Sequence, residues 1–199
     1  RSSAASDVYK RQMSSVEVAY ELKEATRFLI ASTSEMMAYG MPYATVGEFL
    51  LGNPDYGSLC EGFHDFYSTY EMMPCGTLAV TDCSELDNMA AIMKSINDRY
   101  VFDDSLQGEL QGLDGYTPVI FYDFADYVLT LCSDPILTAR FREQLERLVP
   151  YKTHTGKFYS RARGPLPIHT FSGITISDPS TNPMALLKGT TSWYKATHE

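Results

Sequence analysis

A helix that runs at once into a buried strand, at residues 13–32, constrains this chain's fold more than any other stretch. Ser14 followed three positions later by Glu17 reads as a capping box, in which each side chain satisfies a backbone N–H at a helix start. Met13, Val16, Ala19, Tyr20 and Lys23 recur at helical spacing, and Val18 and Leu22 widen the apolar face. Phe28-Leu29-Ile30-Ala31-Ser32 is a short apolar run of strand length. A helix feeding a strand that ends in the polar loop Thr33-Ser34-Glu35 is half of a parallel α/β layer. Ligands of such sheets gather outside the carboxyl ends of the strands. Ser32, Thr33, Ser34 and Glu35 are therefore expected at the functional rim.

At 199 residues the chain is long enough for one α/β domain burying roughly 70% of its unfolded surface. A hydrophobic fraction of 44% with 21% charged residues is ordinary for a globular protein. A net charge of −9 argues against a nucleic-acid backbone or an anionic membrane as the main partner. No apolar run approaches the roughly 18 residues of a transmembrane helix. Cys60, Cys75, Cys83 and Cys132 show no C-x-x-C spacing, and His64, His154, His169 and His198 form no ligand pair, so a structural zinc site is not expected. The even cysteine count permits disulfides without compelling them.

Residues 1–12 are rich in Ser, Ala and basic residues and lack apolar periodicity; they read as non-native linker outside a single domain at 13–199. Further along, Thr45 to Leu51 reads as a short helix, Tyr56 to Met73 as an aromatic one, and Thr77 to Asp82 as a strand. Ser84 is expected to cap a helix at Glu85 to Arg99. Helices are also expected at Asp123 to Leu131, at Pro135 to Leu148 and in the tail around Trp193. Tyr151 to Tyr159 and His169 to Ser177 read as strands, and Arg161 to Pro167 as a basic loop. Cys83, between a strand and a helix, has the setting that activates a thiol, with His169 as a conceivable partner. A small buried hydrophobe is the plainer account of it.

The stretch from Met13 to Ser32, with its continuation Glu35 to Tyr43, resembles the segment after the catalytic cysteine of clostripain-like cysteine peptidases. In that family an Asp-Ala-Cys-x-Met pattern leads into a helix reading Ser-Val-Glu-Val-Ala-Tyr-Glu-Leu, the sequence found here from Ser15 to Leu22. The resemblance implies an α/β fold: a caspase-like, mostly parallel sheet flanked by helices. It places the nucleophile two residues before Met13, where this chain has Arg11, and the catalytic histidine earlier still. On that alignment the chain is the C-terminal portion of a cysteine endopeptidase domain, with the N-terminal part of the fold and the Cys/His dyad missing, and is inactive alone. Its partners would be a peptide substrate and the missing N-terminal portion. A non-catalytic binding or scaffold protein on the same fold is the alternative. The substrate loop would comprise Ser32, Thr33, Ser34 and Glu35, with Pro42 where basic-specific relatives carry an acid. The family implies no organic cofactor. Some members need calcium, for which Asp103, Asp104, Glu109 and Asp114 are candidate donors, but their spacing matches no EF-hand loop and a solvated surface is the plainer account. Relatives are secreted or attached to the bacterial envelope.

Overall fold

The structure, a computed structural model, describes residues 13–199. Helix α1 (Val16–Leu22) is capped by Ser15, whose Oγ accepts from the Val18 N–H at 3.3 Å. The expected Ser14/Glu17 capping box does not form. Both side chains are drawn instead to the far end of the chain: Ser14 donates to the Gly173 carbonyl, and Glu17 accepts from Ser177. Strand β1 (Phe28–Ala31) follows, then α2 (Tyr43–Val46), which tightens into a 3-10 turn at Gly47–Leu50. Helix α3 (Tyr56–Ser68) is capped by Asp55 and stops short of the expected Met73, where Thr69 turns its hydroxyl onto the Asp65 carbonyl.

Strand β2 (Thr77–Asp82) leads through a 3-10 turn at Cys83–Glu85 into α4 (Leu86–Asn97). Asp82, not Ser84, caps that entry, accepting from the Ser84 N–H at 3.1 Å. After a loop come β3 (Tyr122–Asp123), α5 (Phe124–Leu131) and α6 (Pro135–Leu148), then β4 (Tyr151–His154). Asp123 and Asp134 cap the two helices, and Pro135 occupies the first turn of α6, where its missing N–H has no helical partner to lose. The chain closes with β5 (Lys157–Ser160), β6 (Gly164–Pro167), β7 (Thr175–Ile176) and α7 (Ser192–His198).

The main sheet has the order β1-β2-β4, and both of its pairings are antiparallel, with Ile30 opposite Val80 and Leu78 opposite Thr153. The expected mostly parallel sheet is thus corrected. Among the described residues the named ladders are all antiparallel, and Ser15–Thr175 is an isolated parallel bridge. The reason lies in the β1–β2 connection. It carries α2 and α3 yet re-enters the sheet at the end it left, so Ala31 faces Ala79 instead of running on beside it. Polar contacts between Ser32, Thr33, Ser34 and Thr77 hold that end shut.

Strand alternation then divides the interior. Leu29, Ala31 and Ala79 face a main core built with α1, α4, α5, α6 and α7. Leu78 and Val80 face a smaller aromatic core with Leu59, Phe63 and Tyr67 of α3. Trp193 anchors α7 in the main core, edge-on to Tyr20 at 5.7 Å and to Phe124 at 6.0 Å. Burying a side chain of that size contributes about 3 kcal/mol or more. The expected basic loop at Arg161 to Pro167 is half of a hairpin, because Gly164 at φ +76° closes the turn and sets Phe158 opposite Leu166. The expected strand from His169 shrinks to two residues, since side chains of Asp123 and Ser14 take the backbone groups that precede it.

Candidate active site

The residues entering α1 are pinned from both sides. The Ser14 N–H donates to the Ser32 carbonyl at 3.1 Å, at the end of β1. The Ser14 carbonyl accepts from the Thr175 N–H at 2.9 Å and from its hydroxyl at 3.0 Å, and Ser14 Oγ donates to the Gly173 carbonyl at 2.7 Å. Gly173 has φ +84°, and a Cβ there would sit 2.9 Å from Val149 and 3.1 Å from Ala79, so only glycine lets the chain pass this close. The helix start, the end of β1 and the 172–177 segment therefore form one fixed corner.

Asp123 braces that corner from beneath. It is fully buried, and its carboxylate accepts from the Ser172 N–H, from Ser172 Oγ at 2.8 Å and from the Asp126 N–H at 3.1 Å. Burial pushes its pKa up, against the pull of those donors. Lys152 donates to the Ser172 carbonyl at 3.3 Å, and burial pushes its own pKa down.

The loop expected to meet substrate is placed at this corner, but its first side chains point inward. Ser32, Thr33 and Ser34 are buried and converge on Thr77 Oγ1 at 2.7, 3.1 and 3.0 Å. Glu35 is half-buried; it bridges to Tyr159 of β5 and accepts from the Arg161 N–H. Pro42 is buried at the start of α2. On the other side of the same hairpin lies a cleft of about 390 Å³, walled by Leu110, Gln111, Val119, Phe158, Leu166 and His169. Its floor is set by Asp114, whose two oxygens accept from the Tyr116, Ile120 and Phe121 N–H groups at 2.7–2.8 Å. Burial, with the charge of Glu35 adding to it, raises the Asp114 pKa despite those donors.

The four cysteines are free and buried. Cys83 and Cys132 belong to the main core and Cys60 to the aromatic one. Burial pushes the thiols of Cys60 and Cys83 up to about 11 and raises that of Cys75 as well. Cys75 lies outside both cores and lines a second cleft, of about 530 Å³, with His64 and Lys157. Cys83 is packed beneath α4 while His169 lines the hairpin cleft, so the structure does not bring that pair together. Arg11 lies outside the described residues.

The acidic stretch does not suit calcium. Asp114 spends its oxygens on backbone N–H groups, and Asp103 accepts from the Ser105 N–H at 2.9 Å. No group of three or more His, Cys, Asp or Glu among the described residues could hold a metal ion.

The sequence profile of the Clostripain family, Peptidase C11, matches residues 12–135. The chain belongs to the clostripain family. A clostripain from Bacteroides thetaiotaomicron, crystallised with a peptide inhibitor, is 62% identical with a TM-score of 0.94; the match covers 96% of this chain and 85% of that one. A secreted C11 cysteine protease from the same organism, also 62% identical with a TM-score of 0.94, is matched over 96% of this chain and 54% of its own length. An inactive zymogen C11 protease from Parabacteroides distasonis is 30% identical with a TM-score of 0.80, matched over 95% of this chain and 57% of that one. No curated protein matches the chain.

These matches correct the sequence reading on three points. A match over 85% of a clostripain chain solved with its inhibitor overturns the description of this chain as a C-terminal remainder. The same coverage overturns a caspase-like fold with its N-terminal part missing, and with it the claim that the chain lacks catalytic residues and is inactive alone.

The ties that organise the corner escaped sequence reasoning. Thr77, Asp123 with Ser172, Gly173 and Glu17 with Ser177 join residues 43 to 160 positions apart. The one local signal was Asp123 at a helix start.

Proposed function

We propose that this chain is a cysteine endopeptidase of the clostripain type, acting on protein or peptide substrates outside the cell. The observation that carries this reading is the 62% identity and 0.94 TM-score to a clostripain held by a peptide inhibitor. Export follows from the relative described as a secreted protease. Among the described residues no helix is long and apolar enough to cross a membrane. In the chemistry of this class a thiolate attacks the peptide carbonyl and forms an acyl thioester as the amine leaves with a proton. Water then releases the acid and restores the thiol.

The fixed corner at the start of α1 supports a role in positioning the peptide. The backbone after β1 is tied to that corner at Ser32 and to the β5–β6 hairpin at Glu35. Ser32, Thr33 and Ser34 contribute through the backbone they fix, because their hydroxyls are committed to Thr77. The residues at 1–12 fall outside the domain on this reading.

The test is covalent labelling of the folded chain with the inhibitor BTN-VLTK-AOMK, used on the Bacteroides clostripain, with the modified peptide located by mass spectrometry. We expect one label per chain, on a cysteine, blocked by prior alkylation of the thiols. A folded chain that takes up no label on any of its four cysteines would overturn the assignment. Because burial disfavours the thiolates of Cys60, Cys75 and Cys83, uptake should be slow near neutral pH and quicken as the pH rises.

A further inference from the structure

We infer that the β5–β6 hairpin is a docking surface for an acidic stretch of the peptide substrate, held by Lys157, Arg161 and Arg163 beside the candidate site. The inference rests on the reading of this chain as an endopeptidase and names a class of substrate for it. The sequence isolates the feature. Residues 151–177 carry Lys152, Lys157, Arg161 and Arg163, with His154 and His169, and no Asp or Glu, in a chain of net charge −9. On α6, by contrast, Arg140, Arg142 and Arg147 are interleaved with Glu143 and Glu146.

Side chains of β5 alternate between two faces. Phe158 and Ser160 are buried, which leaves Lys157 and Tyr159 on the outer face, opposite Pro167 and Pro165 of β6. The turn beyond them is fixed by its own backbone. The Arg161 N–H donates to Glu35, the Ala162 N–H donates to Ser160 Oγ at 3.3 Å, and Gly164 takes φ +76°. Lys157, Arg161 and Arg163 are exposed. Among the described residues none of their three side chains has an ion-pair or hydrogen-bond partner. Lys23, Arg27 and Lys94 each pair with an aspartate, and Lys152 is spent on the Ser172 carbonyl.

Cations kept apart from acids retain their pairing capacity, and a guanidinium takes a carboxylate through two parallel N–H donors. Two of the cations stand at the turn, and Lys157 lies three strand residues before its last paired residue, about 10 Å back along β5. An extended peptide with an acidic side chain every few residues fits that spacing. Because the turn is already fixed, little backbone freedom is lost when such a peptide docks. The nearby acids do not compete for the three cations. Glu35 is engaged by the Arg161 N–H, and Asp114 by three backbone N–H groups. Glu109 is exposed and lines the cleft beside the hairpin, so its charge disfavours an acidic ligand in the cleft and leaves the outer face as the place for one. Glu35 also follows Ser34 in the loop tied to the α1 corner, so the docked segment lies next to the candidate site.

Fluorescence anisotropy of the folded chain with a labelled oligoglutamate peptide tests this without turnover. We expect binding that weakens at least about tenfold between about 50 mM and 0.5 M salt, and none of the oligoglutamine counterpart. Lys157→Gln, Arg161→Gln and Arg163→Gln together should weaken it by about the same factor, whereas Arg140→Gln, Arg142→Gln and Arg147→Gln together should leave it within about twofold. An equal loss in the two variants would show that net charge alone matters and would overturn the docking surface. So would binding of heparin with none of oligoglutamate, since the ligand would then be a polysaccharide. Should the hairpin variant not fold, protection of Arg161 and Arg163 from phenylglyoxal by the peptide decides, read by mass spectrometry on the wild-type chain; undiminished modification refutes the surface. A chain that binds the peptide but takes no covalent inhibitor keeps the docking surface and loses the peptidase reading. One that takes the inhibitor but binds no peptide loses the docking surface alone.

Discussion

Asp114 and Asp178 are both carboxylates taken out of water by irregular segments, and the chain treats them in opposite ways. Asp114 sits in the turn beneath the hairpin cleft and receives three backbone N–H groups. Asp178 sits beside α1 and receives none. Burial raises the pKa of both, but backbone donors oppose the rise for Asp114, whereas for Asp178 the nearby charge of Glu17 adds to it. A buried acid encircled by main-chain donors is a brace, since each N–H favours the charged form and opposes the effect of burial. One without donors becomes a proton acceptor. The same side chain therefore serves as scaffold at one place and as a titrating element at another, and the backbone around it decides which.

The strongest way to break this comparison is to remove a brace. Asp123 is the deepest example, holding Ser172 and the start of α5 together with a fully buried carboxylate. Asp123→Ala leaves the Ser172 N–H, its hydroxyl and the Asp126 N–H without their acceptor and strands Lys152 beside them. The expected loss is about 3–5 kcal/mol in urea denaturation at neutral pH, with labelling by the peptide inhibitor lost as well. A loss below about 1 kcal/mol would mean the donors find water and the brace is dispensable.

Asp178 should respond in the opposite direction. Its folded-state pKa of about 7 lies above its ordinary 3.8, so the stability it contributes is complete below about 4 and is lost as the pH rises through 7. Between pH 5 and pH 8 the wild-type chain should lose on the order of 3 kcal/mol on this account, or roughly 6–12 °C in melting temperature. Asp178→Asn should flatten that slope and melt above wild type at pH 8. Parallel melting curves for the two chains across that range would show that Asp178 is ionised throughout and that its orphaned oxygens are tolerated.

The parts of the fold that could be read from the sequence are those whose causes are local. Thr77–Asp82 as a strand, Asp123 at the start of α5, and α6 from Pro135 to Leu148 all carry their caps and periodicity within a few residues. Trp193 in a docking helix was legible for the same reason, since one large apolar side chain in a polar tail has to be buried. The capping box failed because a tertiary acceptor, the Gly173 carbonyl, competes for Ser14 across 159 positions. The sheet direction failed because nothing between residues 32 and 76 announces at which end the chain re-enters. Of the loop expected to meet substrate, the sequence marked only that a polar segment, Ser32 to Glu35, follows β1. It could not say that three of those side chains close on Thr77, because that contact needs β2 alongside.

The smallest expected effect falls on a pair of charges that solvent reaches. Lys23 on α1 meets Asp87 on α4, which also accepts from Tyr20 Oη at 3.0 Å, and the ammonium sits 4.0 Å from the Tyr20 ring centroid. The Asp87 side chain is 69% exposed, so water screens the pair and competes for both partners. Lys23→Met keeps the aliphatic stem that packs along α1 and removes only the charge. It should cost under about 1 kcal/mol at low salt and nothing measurable at 0.5 M salt, where exposed charges are screened within a few ångströms. A loss well above that, and insensitive to salt, would place this corner of α1 in the same class as Asp123, with a charge that the surrounding structure depends on. The distinction between buried carboxylates set by main-chain donors and exposed ones set by solvent would then fail at its easiest case.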